Sequence, residues 1–171
     1  MTAESYPGHG FAHGLACGLG CRYNIVMPAS HKMIADRCLV ARARILARGL
    51  SQIYEDQLRP LGLTVSQLNL LVAISCMDEA RAADLAQQFA MEKSTVSRNL
   101  DGLKRLGWIR SVESEGGRST PLELTPQGRK KLDQVLPAWK KAQRKAEVVL
   151  GAPMAKALEG AAERIRAARQ D

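Results

Sequence analysis

The spacing of apolar residues changes once along this chain, from the three-and-four step of helices to an alternation, and then changes back. Residues 108–112 and 119–124 alternate apolar and polar side chains, and Gly116 and Gly117 between them suit a tight turn. Helical spacing resumes on both sides of this segment. We therefore predict a mainly α fold with one small β-hairpin inserted among its helices.

Six helical segments are expected around the hairpin. Before it, apolar side chains recur at helical spacing over about residues 39–61, 64–77, 82–89 and 93–106. Thr64 and Gln67 have the spacing of a capping box at the start of the second of these helices. After the hairpin, Thr125 and Pro126 predict the start of a long helix, and residues 151–153 separate it from a last helix.

Two short helices joined by a tight turn and followed by a hairpin form a winged helix-turn-helix. The long terminal helices carry apolar faces that one winged domain could not cover, so these faces are expected to need a partner surface. We predict four regions: a flexible Gly-rich arm (1–30), an N-terminal dimerisation helix (31–62), a winged helix-turn-helix DNA-binding domain (63–125) and C-terminal dimerisation helices (126–171).

The net charge of the chain favours an acidic partner. Its 171 residues carry a formal charge of +8, which is typical of proteins that bind nucleic acid. The excess is concentrated in residues 126–171, with eleven basic against five acidic residues, whereas residues 78–125 hold seven against eight. That balance leaves a protein-docking winged helix without DNA binding as an alternative. No apolar run reaches the roughly 18 residues of a membrane span, so no membrane partner is expected.

The fourth helix carries the residues that we expect to contact DNA. Short polar side chains and an arginine in the N-terminal half of such a helix suit phosphates and base edges in the major groove. Arg98 can form two parallel hydrogen bonds to guanine, and Arg118 at the hairpin tip can enter the minor groove. The predicted DNA-binding residues are Lys93, Ser94, Thr95, Ser97, Arg98, Asn99 and Arg118.

An ordered series of short motifs resembles the MarR family of transcription regulators over about residues 38–171. The motifs are Leu61-Gly62-Leu63-Thr64, Gln67, Asp84-Leu85-Ala86, Ser94-Thr95-Val96-Ser97-Arg98-Asn99-Leu100, Leu106-Gly107-Trp108-Ile109 and Leu124-Thr125-Pro126-Gln127-Gly128. The resemblance implies a homodimer whose terminal helices intertwine, with two winged domains on successive major grooves of a pseudo-palindromic operator. It also implies repression that a small molecule or thiol oxidation relieves. Gly116 stands where the wing of the family often carries an aspartate.

Two kinds of signal are compatible with this resemblance. A small apolar or phenolic effector would bind between the dimer helices and the winged domain. Alternatively Cys38, near the start of the first long helix, would be oxidised as in the members that sense hydroperoxides. Tyr54 matches one tyrosine that engages the thiol there, whereas Val65 stands in place of a second. Cys76 lies in an apolar helical segment and is expected to be a core residue.

The remaining polar motifs do not favour catalysis. All three histidines lie within residues 9–31, where they cannot serve an active site of the folded domain, so we predict no enzyme activity and no cofactor. His9, His13, Cys17 and Cys21 recur every four residues, but neighbouring glycines oppose a helix there, so no metal site is expected. The N-terminus has no signal-peptide pattern, and a cytoplasmic location is expected.

Overall fold

The computed structural model describes residues 28–112 and 120–168, which form seven α-helices and one two-stranded sheet. The helices are α1 (Ala29–Arg37), α2 (Leu39–Leu58), α3 (Val65–Cys76), α4 (Ala82–Gln88), α5 (Lys93–Arg105), α6 (Pro126–Leu150) and α7 (Ala152–Ala167). A 3₁₀ turn, Arg59–Leu61, follows α2, and the strands are β1 (Ile109–Ser111) and β2 (Leu122–Leu124). This order confirms the predicted class, a mainly α winged helix-turn-helix between long terminal helices.

The N-terminal helical region differs from the single helix predicted over residues 31–62. Cys38 has extended backbone, with φ −64° and ψ 108°, and separates α1 from α2. The amide of Cys38 still donates to the carbonyl of Ile34 at 2.9 Å, so the chain leaves the helical path for only one residue. Helix α1 also begins at Ala29, inside the segment predicted as an arm. The rest of that arm, residues 1–27, lies outside the described residues.

The part of the chain that the structure describes divides between Leu46 and Ala47 into two compact units. In the first unit, α1 and the start of α2 bury none of their large apolar side chains. Leu39, on the apolar stripe of the predicted helix, is 80% exposed, and Met33, Ile34, Val40 and Ile45 are exposed as well.

The second unit is built around a leucine-rich core. Its most deeply buried side chains come from the end of α2, the loop after it, and helices α3 to α6: Leu58, Leu63, Leu70, Leu71, Leu85, Val96, Leu103 and Val135. Trp108 and the strand residues Ile109, Leu122 and Leu124 close the core on the side of the sheet. Burial of this apolar surface is the main force that holds the short helices in place.

Helix starts within this unit follow the predicted capping patterns. Thr64 Oγ1 accepts the amide of Gln67 at 3.2 Å, and Gln67 Oε1 accepts the amide of Thr64 at 3.0 Å, which confirms the capping box. Glu55 of α2 adds a further acceptor for the amide of Val65 at 2.9 Å. Thr125 Oγ1 accepts the amide of Gly128 at 3.0 Å at the start of α6, which runs unbroken through Pro137.

In the part of the chain that the structure describes, no single helix has both the length and the apolar character to cross a membrane. Helix α2 with its 3₁₀ turn meets that test only together with α3, across a bend of 81°.

Candidate nucleic-acid interface

A tight turn sets α5 against α4. Helix α4 ends in a Schellman motif, in which the amide of Met91 donates to the carbonyl of Ala86 at 2.9 Å and that of Ala90 donates to Gln87 at 3.2 Å. Ala90 occupies the left-handed position of this motif, with φ +51°, where glycine is the usual residue. The next helix therefore starts only three residues later, at Lys93.

One face of α5 is buried in the core. Val96, Leu100 and Leu103 follow each other at steps of four and three, and α5 contacts α3 and α4. The spacing directs the opposite face of the helix outward. Lys93, Ser94, Ser97 and Arg98 are exposed there, whereas Thr95 and Asn99 are half-buried at its edge.

The arginine of this face is tied to the preceding turn of α5. Arg98 Nη2 donates to Thr95 Oγ1 at 3.3 Å, so the exposed guanidinium is directed toward the N-terminal end of the helix. Asn99 Nδ2 donates to the backbone carbonyl of Thr95 at 2.8 Å, so this amide nitrogen is already engaged. The Asn99 side chain is therefore less available to contact DNA than its predicted outward position implied.

The charges on α5 suit a polyanion. Lys93 is the first helical residue, and Lys104 and Arg105 lie in the last turn. The amide groups of the first turn point outward and carry partial positive charge, which favours phosphate oxygens. Glu92, the N-cap residue, makes no side-chain hydrogen bond to these amides.

The base of the wing is a short antiparallel ladder. Ile109 pairs with Leu124 and Ser111 with Leu122, while Arg110 and Glu123 stand opposite each other and form an ion pair. The amide of Leu122 also donates to the carbonyl of Ala80 at 2.8 Å. The tip of the hairpin, including Arg118, lies outside the described residues.

Three basic residues in the first turns of α6 have different surroundings. Arg129 and Lys130 are exposed. Lys131 is half-buried, and its Nζ donates to the carbonyl of Leu61 at 2.6 Å and lies 4.9 Å from the centre of the Trp108 ring. The sequence revealed the charge of Lys131 but not this long-range contact, which no local pattern predicts.

An apolar cleft of about 590 Å³ lies between α3, the end of α4 and α6. Its apolar walls come from Val72, Phe89, Leu132, Leu136 and Trp139, with further lining residues from the same helices. Asn69, Gln88 and Asp133 supply polar groups.

The two described cysteines are both free. Cys38 is half-buried at the break between α1 and α2. Cys76 is exposed at the end of α3 and lines the cleft, so its expected place in the core was wrong. Cys76 lies one turn after Val72, which is also exposed and lines the cleft, so this face of α3 is turned toward the cleft and not toward the core.

Tyr54 is the titratable residue that links α2 to α6. The hydroxyl of Tyr54 in α2 donates to Gln143 Oε1 in α6. Burial, and to a smaller extent the Glu147 carboxylate, raise the pKa of Tyr54 above its usual value of 10.0. Within residues 28–112 and 120–168, no group of three His, Cys, Asp or Glu side chains is arranged to hold a metal ion. The His9, His13, Cys17 and Cys21 pattern lies outside the described residues.

The chain is similar to known transcription regulators in sequence and in fold. A family model described as MarR family matches residues 61–118. The curated protein YwoH of Bacillus subtilis, described as an uncharacterized HTH-type transcriptional regulator, is 25% identical over 100 residues, which cover 58% of this chain and 73% of YwoH.

Solved structures extend the similarity over most of the chain. The transcriptional regulator MosR of Mycobacterium tuberculosis, solved in complex with DNA, is 30% identical; the match covers 78% of this chain and 99% of that chain, with a TM-score of 0.65. Apo MarR of E. coli, 19% identical, has the same fold, with a TM-score of 0.62 and coverage of 74% and 93%. The chain therefore belongs to the MarR family and is a DNA-binding transcription regulator with a winged helix-turn-helix fold.

Proposed function

We propose that the protein is a homodimeric repressor that reads a pseudo-palindromic operator with the exposed face of α5 and releases it on binding a small apolar or phenolic ligand. The observation that carries the proposal is the N-terminal half of α5. Its exposed Lys93, Ser94, Ser97 and Arg98 stand opposite three buried apolar side chains. A helix held in this way can enter a major groove without disturbing the core.

Each residue of the interface has a role that its chemistry suits. Arg98 would bond guanine O6 and N7, and its contact with Thr95 reduces the number of rotamers that it loses on binding. Lys93, Ser94 and Ser97, with the helix N-terminus, would contact phosphates or base edges, and Thr95 and Asn99 would adjoin them at the edge. Arg118 would place its cation in the minor groove beside the wing.

Unpartnered apolar side chains support a dimer through the terminal helices. Every exposed large hydrophobic in the described part of the chain except Val72 and Leu106 belongs to α1, α2, α6 or α7. A second copy is the partner that would cover such surfaces by symmetry. Residues 31–62 and 126–171 would then be the dimerisation regions and residues 63–125 the DNA-binding domain.

The cleft between α3 and α6 supports a small-molecule effector. Its apolar walls and few polar groups are typical of a site for a compact aromatic ligand. A MarR-family protein of Mycobacterium tuberculosis was solved with salicylic acid, and BpsR of Bordetella bronchiseptica is regulated in DNA binding by 6-hydroxynicotinic acid. A hydroxylated aromatic acid that prefers one spacing of the two α5 helices would release the operator.

Thiol oxidation is the second candidate signal, favoured by the free Cys38 at the break between two helices. An oxidised form of MarR from E. coli has been solved. A protein carrying Cys38→Ser separates the two signals. Peroxide should then no longer release DNA if Cys38 is the sensor, whereas release by salicylate should persist.

The base-reading role is tested with Arg98→Ala, and Arg105→Ala is the matched control because it removes the same charge from the other end of α5. Binding is measured on a duplex selected by the wild-type protein from a random-sequence library, and on random DNA of equal length. Loss of one bidentate contact should reduce the preference for the selected duplex by about 10- to 100-fold. Arg105→Ala should weaken both complexes equally.

Equal losses on the two duplexes for Arg98→Ala would contradict the base-reading role. Wild-type affinity that is independent of salt would contradict DNA binding through phosphates and favour a protein partner for the winged domain.

A further inference from the structure

The junction between α5 and the wing is fixed to the start of α6. Thr125 Oγ1 donates to the carbonyl of Gly107 at 2.6 Å, and the amide of Thr125 donates to the carbonyl of Trp108 at 3.0 Å. Gly128 approaches so closely that a Cβ atom there would lie 2.0 Å from the Trp108 carbonyl oxygen. Gly107 and Trp108, which link α5 to β1, are therefore held tightly against the first turn of α6, and we call this contact the joint.

Lys131 extends this joint to the end of α2. Its ammonium lies over the Trp108 ring and donates to the carbonyl of Leu61, the last residue of the 3₁₀ turn that follows α2. Carbonyls at a helix C-terminus lack partners within the helix and carry partial negative charge, so they favour a cation. The face of a tryptophan ring favours the same charge.

We propose that Lys131 is a positioning residue for DNA recognition. It holds α5 and the base of the wing in a set orientation to the end of α2, and it does so without contacting DNA. The inference rests on the proposed function of α5, because a fixed orientation matters only if two α5 helices must reach base edges at a set spacing. Loss of Lys131 should then weaken selective binding more than random binding.

Neighbouring Lys130 provides the matched control. It is exposed, and its ammonium group makes no hydrogen bond or ion pair with any other residue that the structure describes. Lys131→Met keeps most of the aliphatic stem but removes the charge and the donor, and Lys130→Met removes the same charge without breaking the joint. Lys131→Arg keeps both the cation and a donor.

The test measures the affinity of each variant for the selected and the random duplex across a range of salt concentrations. Lys131→Met should reduce the affinity for the selected duplex about tenfold, as expected for the loss of one charge-assisted hydrogen bond. The dependence of its affinity on salt concentration should remain that of the wild type. Lys131→Arg should restore most of the selectivity, and Lys130→Met should leave the ratio of the two affinities unchanged. In a Trp139→Phe background, Lys131→Met should also change the fluorescence of Trp108.

Two results would overturn the inference. The first is an unchanged ratio of affinities for Lys131→Met, whatever its melting temperature. The second is an equal loss on both duplexes with a salt slope smaller by about one, which indicates a direct phosphate contact. If Lys131→Met does not fold, Lys131→Gln takes its place. Arg98→Ala distinguishes the two proposals, because a selectivity unaffected by it refutes the proposed role of α5 itself.

Discussion

Ala90 is the residue at which local backbone preference and the fold disagree. Three helical segments, namely α2 with its 3₁₀ turn, α4 and α5, end in the same type of turn, with Gly62, Ala90 and Gly107 at the left-handed position. Glycine adopts this conformation without steric cost, whereas the Cβ of alanine meets the neighbouring carbonyl oxygen. The turn between α4 and α5 therefore carries strain that the two glycine turns avoid.

We expect Ala90→Gly to stabilise the protein by about 1 kcal/mol, because it relieves the positive-φ strain in a turn that the fold already requires. Urea denaturation measures the change. Ala83→Gly is the control, since it places glycine within α4 and should destabilise by about 1 kcal/mol. A loss of stability for Ala90→Gly as large as that for Ala83→Gly would contradict the strain.

Gly128 is restricted by space rather than by backbone conformation. A Cβ atom at this position would lie 2.0 Å from the Trp108 carbonyl oxygen, which is backbone and cannot move aside. We expect Gly128→Ala to destabilise the protein by about 3 kcal/mol through overpacking. Gly102→Ala, within α5, meets only ordinary contacts and should stabilise by about 1 kcal/mol. Equal effects of the two substitutions in thermal unfolding would contradict this account.

At the level of elements, polar side chains attach α2 to its neighbours. Glu55 accepts the amide of Val65 in α3, Tyr54 donates to Gln143 in α6, and the carbonyl of Leu61 accepts Lys131. The first pair joins consecutive helices, and the other two pairs join segments 89 and 70 residues apart. Together these contacts hold the C-terminal end of α2 against α3 and α6.

The partial burial of Tyr54, together with the nearby Glu147 carboxylate, predicts a dependence of stability on pH. Because the pKa of Tyr54 is raised in the folded protein, the folded state holds this proton above pH 10, where the unfolded state has lost it. The stabilisation is complete below pH 10 and is lost as the pH rises from 10 through the higher folded pKa. We expect one of the three tyrosines to ionise late in a titration followed by phenolate absorbance.

Tyr54→Phe should remove this late step and leave the titration of the other two tyrosines unchanged. Persistence of the late step in Tyr54→Phe would assign it to Tyr6 or Tyr23 and contradict the cause given above.

At the scale of the whole molecule, the exposed apolar surface of the terminal helices predicts which substitutions should weaken the proposed dimer. Val148 in α6 is 83% exposed. We expect Val148→Glu to weaken dimerisation by at least about 100-fold, because it would bury an unpaired carboxylate in the interface. Sedimentation across protein concentrations measures the change.

Leu106→Glu is the control for that experiment, since Leu106 is an exposed large hydrophobic outside the terminal helices. It should leave the dimer intact. Equal weakening by both substitutions, or none by Val148→Glu, would contradict a dimer formed through α6.

The amino-acid sequence determined the order and approximate ends of the elements from α3 onward, because these depend on local chemistry. The spacing of leucines and valines defines α3 to α6, Thr64 and Thr125 start helices by capping, and Gly62 and Gly107 end them. The outward face of α5 followed in the same way, since the step between Val96, Leu100 and Leu103 leaves only one side for Ser97 and Arg98.

Contacts between distant residues were decided only by the tertiary structure. The break at Cys38, the engagement of Asn99, the exposure of Cys76 and the bridge from Lys131 to Leu61 leave no local signal in the sequence. A lysine in the first turns of a helix has the same local pattern whether it faces solvent, as Lys130 does, or a carbonyl 70 residues away, as Lys131 does. Lys131 reaches the Leu61 carbonyl only because packing of the core brings the start of α6 next to the end of α2. That packing depends on the apolar surface buried by all the helices of the unit together.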